Sequence, residues 1–191
     1  MILYVNACVR KDSRTKRLAD LLLKKLVEKS GDSFSELVLE SVSFPLADEK
    51  FIETRDALKA SGAFEDPMFD MARQFAEADT IIIAAPFWDL SFPAMLKQYF
   101  EQINVCGTTF MYTPEGRLEG ICKADKLYYV TTAGGDFCPE EFGYGYVEAL
   151  AQNFYGIQDV KLIKATGLDI AGADVEKIMS ETISAMDMLL N

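Results

Sequence analysis

The chain predicts a doubly wound α/β domain, with a five-stranded parallel sheet covered by helices on both faces, and three observations carry that expectation. Strand-like apolar runs alternate with segments of helical periodicity through five repeats, the pattern of right-handed crossover units. Ile81, Ile82 and Ile83 are consecutive β-branched residues with no polar alternation, as in a strand buried on both faces. The segments at 6–16, 86–93 and 131–146, where the chain leaves a strand for a helix, hold the hydroxyl, proline and glycine residues that a parallel sheet gathers on one rim.

Residues 2–7 (ILYVNA) read as the first strand. The helix after it is marked by Leu18, Leu21, Leu22 and Leu26 and stopped at Gly31. FSELVL at 34–39 alternates, predicting a more exposed edge strand. Residues 41–66 mix loop signals with a helix over 48–60. Pro67 opens the next helix with Asp66 as its cap, and Met68, Met71, Ala72, Phe75 and Ala76 form its apolar face. The isoleucine strand follows, and Pro93 opens a helix through Gln102. Residues 107–125, with Pro114, Glu115 and Gly116, predict a hairpin-like excursion. KLYYVTT at 126–132 is the fourth sheet strand, 148–155 a helix, 160–165 the last strand and 173–190 the closing helix. No internal repeat or linker interrupts this order, so residues 1–191 are expected to form one domain.

Composition removes several classes of function. A formal net charge of -11 opposes general binding to nucleic acid or anionic membranes, which need cationic excess. The longest apolar run, 81–88, falls far short of the roughly 20 residues that cross a bilayer. Cys8, Cys106, Cys122 and Cys138 lack zinc or redox spacing, and the chain opens on a strand without a leader, so a reducing cytoplasm is expected. The absence of histidine excludes Ser-His-Asp and Cys-His catalysis and His-containing metal sites, and no metal site is expected.

The three rim loops offer complementary chemistry. In the first, Arg10, Lys11, Ser13, Arg14 and Thr15 surround a helix amino terminus, a setting suited to a phosphate monoester. The same residues also suit simple capping by Ser13 or Thr15 with the cations in solvent. In the second, Phe87 and Trp88 with neighbouring backbone N–H groups suit the edge of a flat heterocycle, or equally core or dimer packing. In the third, Gly134 and Gly135 permit close approach to a ligand, or form an ordinary turn. No GxGxxG or GxxxxGK[ST] is present, so neither a dinucleotide fingerprint nor a P-loop is expected. A phosphate pole, a flat-ring pole and a glycine loop on one rim together describe a flavin mononucleotide site at a topological switch point.

At these residues the chain resembles the flavodoxin-like NAD(P)H:quinone oxidoreductases, and among them the FMN-dependent NADH-azoreductases. DSRTKRLADLL at 12–22, IIIAAPFWDLSFPAMLKQYFEQI running into CGTTFMYTPEGRLEG over 81–120, and TTAGG at 131–135 carry the likeness. The resemblance implies strand order 2-1-3-4-5. It implies that Ser13 and Thr15 hold the FMN phosphate, that Pro86, Phe87, Trp88 and Asp89 line the ring and ribityl chain, and that Thr132, Gly134 and Gly135 border the other edge. It further implies a homodimer with shared sites, in which Phe87, Trp88 and Tyr112 wall a small aromatic substrate. Hydride from NADH or NADPH would pass through the flavin to a quinone or azo acceptor in ping-pong order, with no protein acid or base required. Two positions depart from the family pattern: Asp89 stands where asparagine is common, and Ala133 where arginine is often found. Two other functions fit the same fold, an FMN electron carrier that docks a protein partner and a flavin-free interaction protein.

Overall fold

The computed structural model describes residues 1–190. The chain runs β1 (Ile2–Asn6), α1 (Arg14–Ser30), β2 (Phe34–Val38), α2 (Glu49–Ala60), α3 (Asp70–Glu77), β3 (Thr80–Ala84), α4 (Ala94–Ile103), the hairpin strands β4 (Phe110–Tyr112) and β5 (Leu118–Gly120), β6 (Lys126–Thr132), α5 (Tyr144–Leu150), β7 (Asp159–Ala165) and α6 (Val175–Leu190). Five strands form one parallel sheet in the order β2-β1-β3-β6-β7. With the hairpin set aside, this is the order expected for a flavodoxin-like sheet.

The isoleucine triplet sits at the centre and explains why two apolar faces are needed. Ile81 and Ile83 enter the core under α3, α4 and α5, whereas Ile82 enters the core under α1 and α6. All three are fully buried. Alternate side chains of one strand point to opposite faces, so an uninterrupted apolar run satisfies both layers at once. Leu3 and Val5 against Ile2 and Tyr4 repeat the division in β1, as Leu127 and Tyr129 against Tyr128 and Val130 do in β6.

Local signals account for most boundaries. Ser13 caps α1 by accepting from the Lys16 N–H, and Gly31 ends it at φ 73° with its N–H donated to Val27 O. Asp48 caps α2 through the Phe51 N–H, yet none of α2 is buried. Asp66 caps as expected, accepting from the Met68 N–H at 2.9 Å, but Pro67–Phe69 form a 3-10 turn before α3 begins. Pro93 is the residue that flanks α4 instead of its first helical position. The helix expected from 148 starts earlier, at Tyr144, and its last stretch Ala151–Tyr155 widens into a π turn.

Register builds a step at the carboxyl edge. β1 and β3 end level with each other, Asn6 beside Ala84, and Ala84 lies opposite Val130. β6 and β7 continue two residues further, pairing Thr131 with Lys164 and Thr132 with Ala165. The sheet is therefore taller on one side, and Thr132 stands above the end of β3.

The β4–β5 hairpin is rooted at the opposite edge. Lys123 N–H donates to Ala76 O at 2.8 Å and Asp125 N–H to Asp79 O at 3.2 Å, which ties the segment after β5 to the amino-terminal end of β3. Gly120 packs directly on the backbone of Tyr155 and Gly156, and a Cβ there would overlap both. Gly120→Ala is expected to destabilise the protein by about 1–3 kcal/mol through overpacking. A lower denaturation midpoint at unchanged denaturant dependence would show this, and an unshifted midpoint would contradict the packing.

Candidate functional site

The step in the sheet opens into a cavity of about 620 Å³ at the carboxyl edge, walled by segments 9–15, 86–88, 132–134 and 168–169. Three are the loops expected from sequence. The fourth, between β7 and α6, brings Leu168 and Asp169 and went unrecognised. The rule that gathers every strand-to-helix exit on one rim also covers this loop, so the signal was present in the position of TGLD directly after the last strand.

One pole of the cavity is the amino terminus of α1. Ser13 Oγ accepts from Lys16 N–H at 3.2 Å, and Arg17 N–H donates to Ser13 O at 3.0 Å. The N–H groups of Arg14 and Thr15 have no intrahelical carbonyl, as helix geometry requires. Capping and anion binding are thus compatible at Ser13, because the oxygen that accepts from Lys16 keeps its own hydroxyl proton to donate. Thr15 is buried, and its Oγ1 lies 2.7 Å from Thr132 Oγ1. That bond stitches α1 to the tall end of β6 and uses one of the two hydroxyl protons. Arg10, Lys11 and Arg14 line the same pole, opposed by Asp12 and Asp169. Beneath the loop, outside the lining, burial pushes the Cys8 thiol up, and its N–H donates to Asn6 Oδ1 at 2.9 Å.

The other pole is Pro86, Phe87 and Trp88. Ala85 N–H donates to Val130 O and Phe87 N–H to Thr132 O, each at 3.0 Å, so the segment continues β3 alongside β6. Trp88 and Ser91 exchange both backbone bonds, at 3.1 and 2.8 Å, around Asp89 at φ 51° and Leu90 at φ 60°. Two successive positive φ values identify a type I′ hairpin turn. Of the backbone N–H groups of this loop, those of Phe87 and Trp88 are directed at carbonyls of the same chain. What this pole presents is apolar and aromatic surface.

Asp89 is exposed and lies outside the cavity lining. Its identity has a backbone explanation: aspartate tolerates the left-handed conformation that the turn imposes. Of the glycine pair, Gly134 lines the cavity, but the side chain that a Cβ there would strike is Asp169. Gly135 is exposed and outside the lining, and a Cβ there would meet only Phe137 N at 4.0 Å. Tyr112 is 57% exposed on the hairpin rooted at the far edge of the sheet, and it too is outside the lining. Ala133 lines the cavity and is buried. Behind Phe87 lies a second hole of about 10 Å³, bordered by Tyr129 and Thr131, whose buried hydroxyls have no partner among the described residues. That is room for one water. Among the described residues no group of three or more His, Cys, Asp or Glu is arranged for a metal ion, and no helix is long and apolar enough to cross a membrane.

The cavity therefore suits a ligand with an anionic end and a flat apolar end. Its turn carries one misfit: leucine in the left-handed region costs about 1–2 kcal/mol, and Leu90 is 47% exposed, so little burial offsets this. Leu90→Asn is expected to raise stability by about 0.5–1 kcal/mol, because asparagine is favoured in such turns. Chemical denaturation measures it, and a destabilised variant would show that Leu90 makes contacts worth more than the strain.

Comparison with known proteins bears on the family and the fold. A family model described as having a flavodoxin-like fold matches residues 1–190. The FMN-dependent NADH:quinone oxidoreductase of Coprothermobacter proteolyticus is 34% identical over 196 residues, covering 98% of this chain and 96% of that protein. The protein of the same name from Clostridium beijerinckii is 34% identical over 189 residues, covering 95% and 93%. Among solved structures, an azoreductase from Bacillus anthracis str. Sterne superposes with a TM-score of 0.85 at 23% identity, covering 98% of this chain and 97% of that one. An FMN-dependent NADH-azoreductase from Bacillus anthracis str. Ames Ancestor, solved with FMN, gives 0.79 at 22% identity, covering 100% and 99%. At these identities the structural likeness bears on the fold. Together with the curated relatives and the match along nearly the whole length, it follows that the chain belongs to the flavodoxin-like family that includes the FMN-dependent NADH:quinone oxidoreductases.

Proposed function

We propose that this protein is an FMN-dependent oxidoreductase that passes hydride from NADH or NADPH to quinones, azo compounds or related aromatic acceptors. The observation that carries the reading is the meeting, in one cavity, of a helix amino terminus with free N–H groups and three cations with the aromatic side chains of Phe87 and Trp88. A phosphate monoester fits the first pole and a fused aromatic ring the second. FMN joins those two chemistries, and bound there it would supply the hydride transfer.

The residues of this chain then have separate tasks. Ser13 Oγ–H and the N–H groups of Arg14 and Thr15 hold the phosphate, with Arg10 and Lys11 adding charge. Thr15, tied to Thr132, keeps the helix terminus at a fixed distance from β6. Pro86, Phe87 and Trp88 orient the ring and exclude water from one side, while Thr132 and Gly134 border its edge. Phe87 and Trp88 also supply stacking surface for an acceptor. Asp89 serves the turn and, being exposed, leaves the ring free of an adjacent carboxylate. Tyr112, at the far edge of its own sheet, would complete the site of a second copy in a homodimer. Four free cysteines suit a reducing, cytoplasmic setting.

Reconstitution with FMN is expected to give a yellow protein whose visible absorption bleaches on anaerobic addition of NADH or NADPH. A protein that stays colourless and binds no FMN would overturn the reading. Bound flavin that resists both nicotinamides but exchanges electrons with a redox protein would favour a carrier. Ser13→Ala is expected to weaken FMN binding about tenfold, a hydrogen bond to a charged group being lost, and to leave riboflavin, which has no phosphate, unaffected. Fluorescence titration with both ligands reads this out, and equal losses for the two would place the effect in the helix cap.

A further inference from the structure

The phosphate pole contains a group that anion binding alone does not explain. Asp169 is, with Asp12, one of two carboxylates in the wall of a cavity whose same pole carries Arg10, Lys11 and Arg14. It is held there by its surroundings. Its N–H donates to Gly134 O at 2.8 Å, and the Gly167 N–H donates to Gly135 O at 2.8 Å, so the loop after β7 is zipped to the loop after β6. Its side chain occupies the space that a Cβ on Gly134 would need. Its Oδ1 accepts from Arg14 Nη1 at 2.7 Å. The absence of a side chain at Gly134 thus leaves room for a carboxylate aimed at the first residue of α1.

That ion pair joins the two walls of the phosphate pole. Its members are 38% and 64% exposed, so solvent screens it and its strength is modest. Arg14 offers five N–H donors in a planar fork, of which this bond uses one, and a phosphate arriving at the pole meets a guanidinium already partly neutralised.

On the proposed reading of the cavity as an FMN site, we infer that Asp169 is an internal competitor for Arg14 that sets how tightly the site holds a phosphate monoester. The carboxylate stands where the phosphate would draw on Arg14, and it repels the phosphate directly. Removing its charge while keeping its shape strengthens phosphate binding. The same charge lowers the attraction of the empty site for other anions, because Arg14 is never left unpaired there. It makes the cofactor more readily exchanged, since the carboxylate can reclaim the guanidinium as the phosphate departs. The residue touches no reacting atom, so its role is specificity and retention, not chemistry.

Asp169→Asn keeps the shape and the loop hydrogen bonds of the backbone. Titration of the flavin-free protein with FMN and with riboflavin, followed by flavin fluorescence at two ionic strengths, tests the inference. The variant is expected to bind FMN about two- to fivefold more tightly, the range set by a screened ion pair, with riboflavin unchanged. Its FMN affinity is expected to fall more steeply with salt than that of the unmodified chain. In an Arg14→Gln background the gain is expected to shrink, since the two carboxyl and phosphate partners no longer share a guanidinium. FMN affinity that is unchanged or weaker in Asp169→Asn overturns the inference, as does an equal tightening for riboflavin. Failure of the unmodified chain to bind FMN at all overturns the functional reading instead. If Asp169→Asn does not fold, the comparison of Arg14→Gln with the unmodified chain decides: a competitor already neutralising Arg14 makes that loss smaller than the loss in Ser13→Ala, and a larger loss contradicts it.

Discussion

Parallel pairing of β1, β3 and β6 is the constraint on which the rest depends. Parallel neighbours cannot be joined by a tight turn, so every strand must leave the sheet at the same edge and return by a crossover. Each exit delivers a loop to one rim. The register adds the detail that makes a cavity there, because β6 outlasts β1 by two residues while the continuation of β3 stays bonded beside β6 as far as Thr132. From that position Thr132 uses its carbonyl to hold Phe87 N–H and its hydroxyl to hold Thr15. One residue thereby fixes the separation of the anionic and aromatic poles.

The sheet was legible in the sequence because its signal is burial on two faces. Ile81 to Ile83 and KLYYVTT announce themselves through uninterrupted apolar or β-branched residues. The leucine stripe ending at Gly31 located α1, and the Asp66 cap the turn before α3, for a similarly local reason. What escaped depended on distant partners. The start of α5 at Tyr144 follows Gly143 at φ 65°, a glycine whose surroundings include Tyr129 and Phe87 from other elements. The use of the Phe87 and Trp88 N–H groups depends on the extra length of β6 and on a turn whose leucine contradicts its backbone. No periodicity reports such facts.

The candidate site shows the same division. Residue types at α1, at PFW and at the glycine loop could be read as chemistry, and the structure brings Ser13, Thr15, Pro86, Phe87, Trp88, Thr132 and Gly134 around one space. The resemblance implied Asp89 beside the ring together with Pro86, Phe87 and Trp88, which do line the cavity. In the folded chain Asp89 belongs to a turn, and the substitution of asparagine by aspartate there exchanges two residues that both tolerate positive φ. Gly134 lines the cavity and also gives room to Asp169, a residue from a loop 35 positions later in the chain.

The small hole behind Phe87 bears on how the aromatic wall behaves under load. A ring backed by close-packed atoms can yield only if its neighbours yield, because dense interiors resist even small displacements. Phe87 has at its back a hole of about 10 Å³, bordered by the hydroxyls of Tyr129 and Thr131 and closed by Pro139, Phe142, Tyr144 and Leu162. The ring therefore has room to shift on that side by no more than the space of one water, while its backbone stays pinned to Thr132. Any adjustment of the aromatic wall is small, confined to the side chain and separate from the sheet.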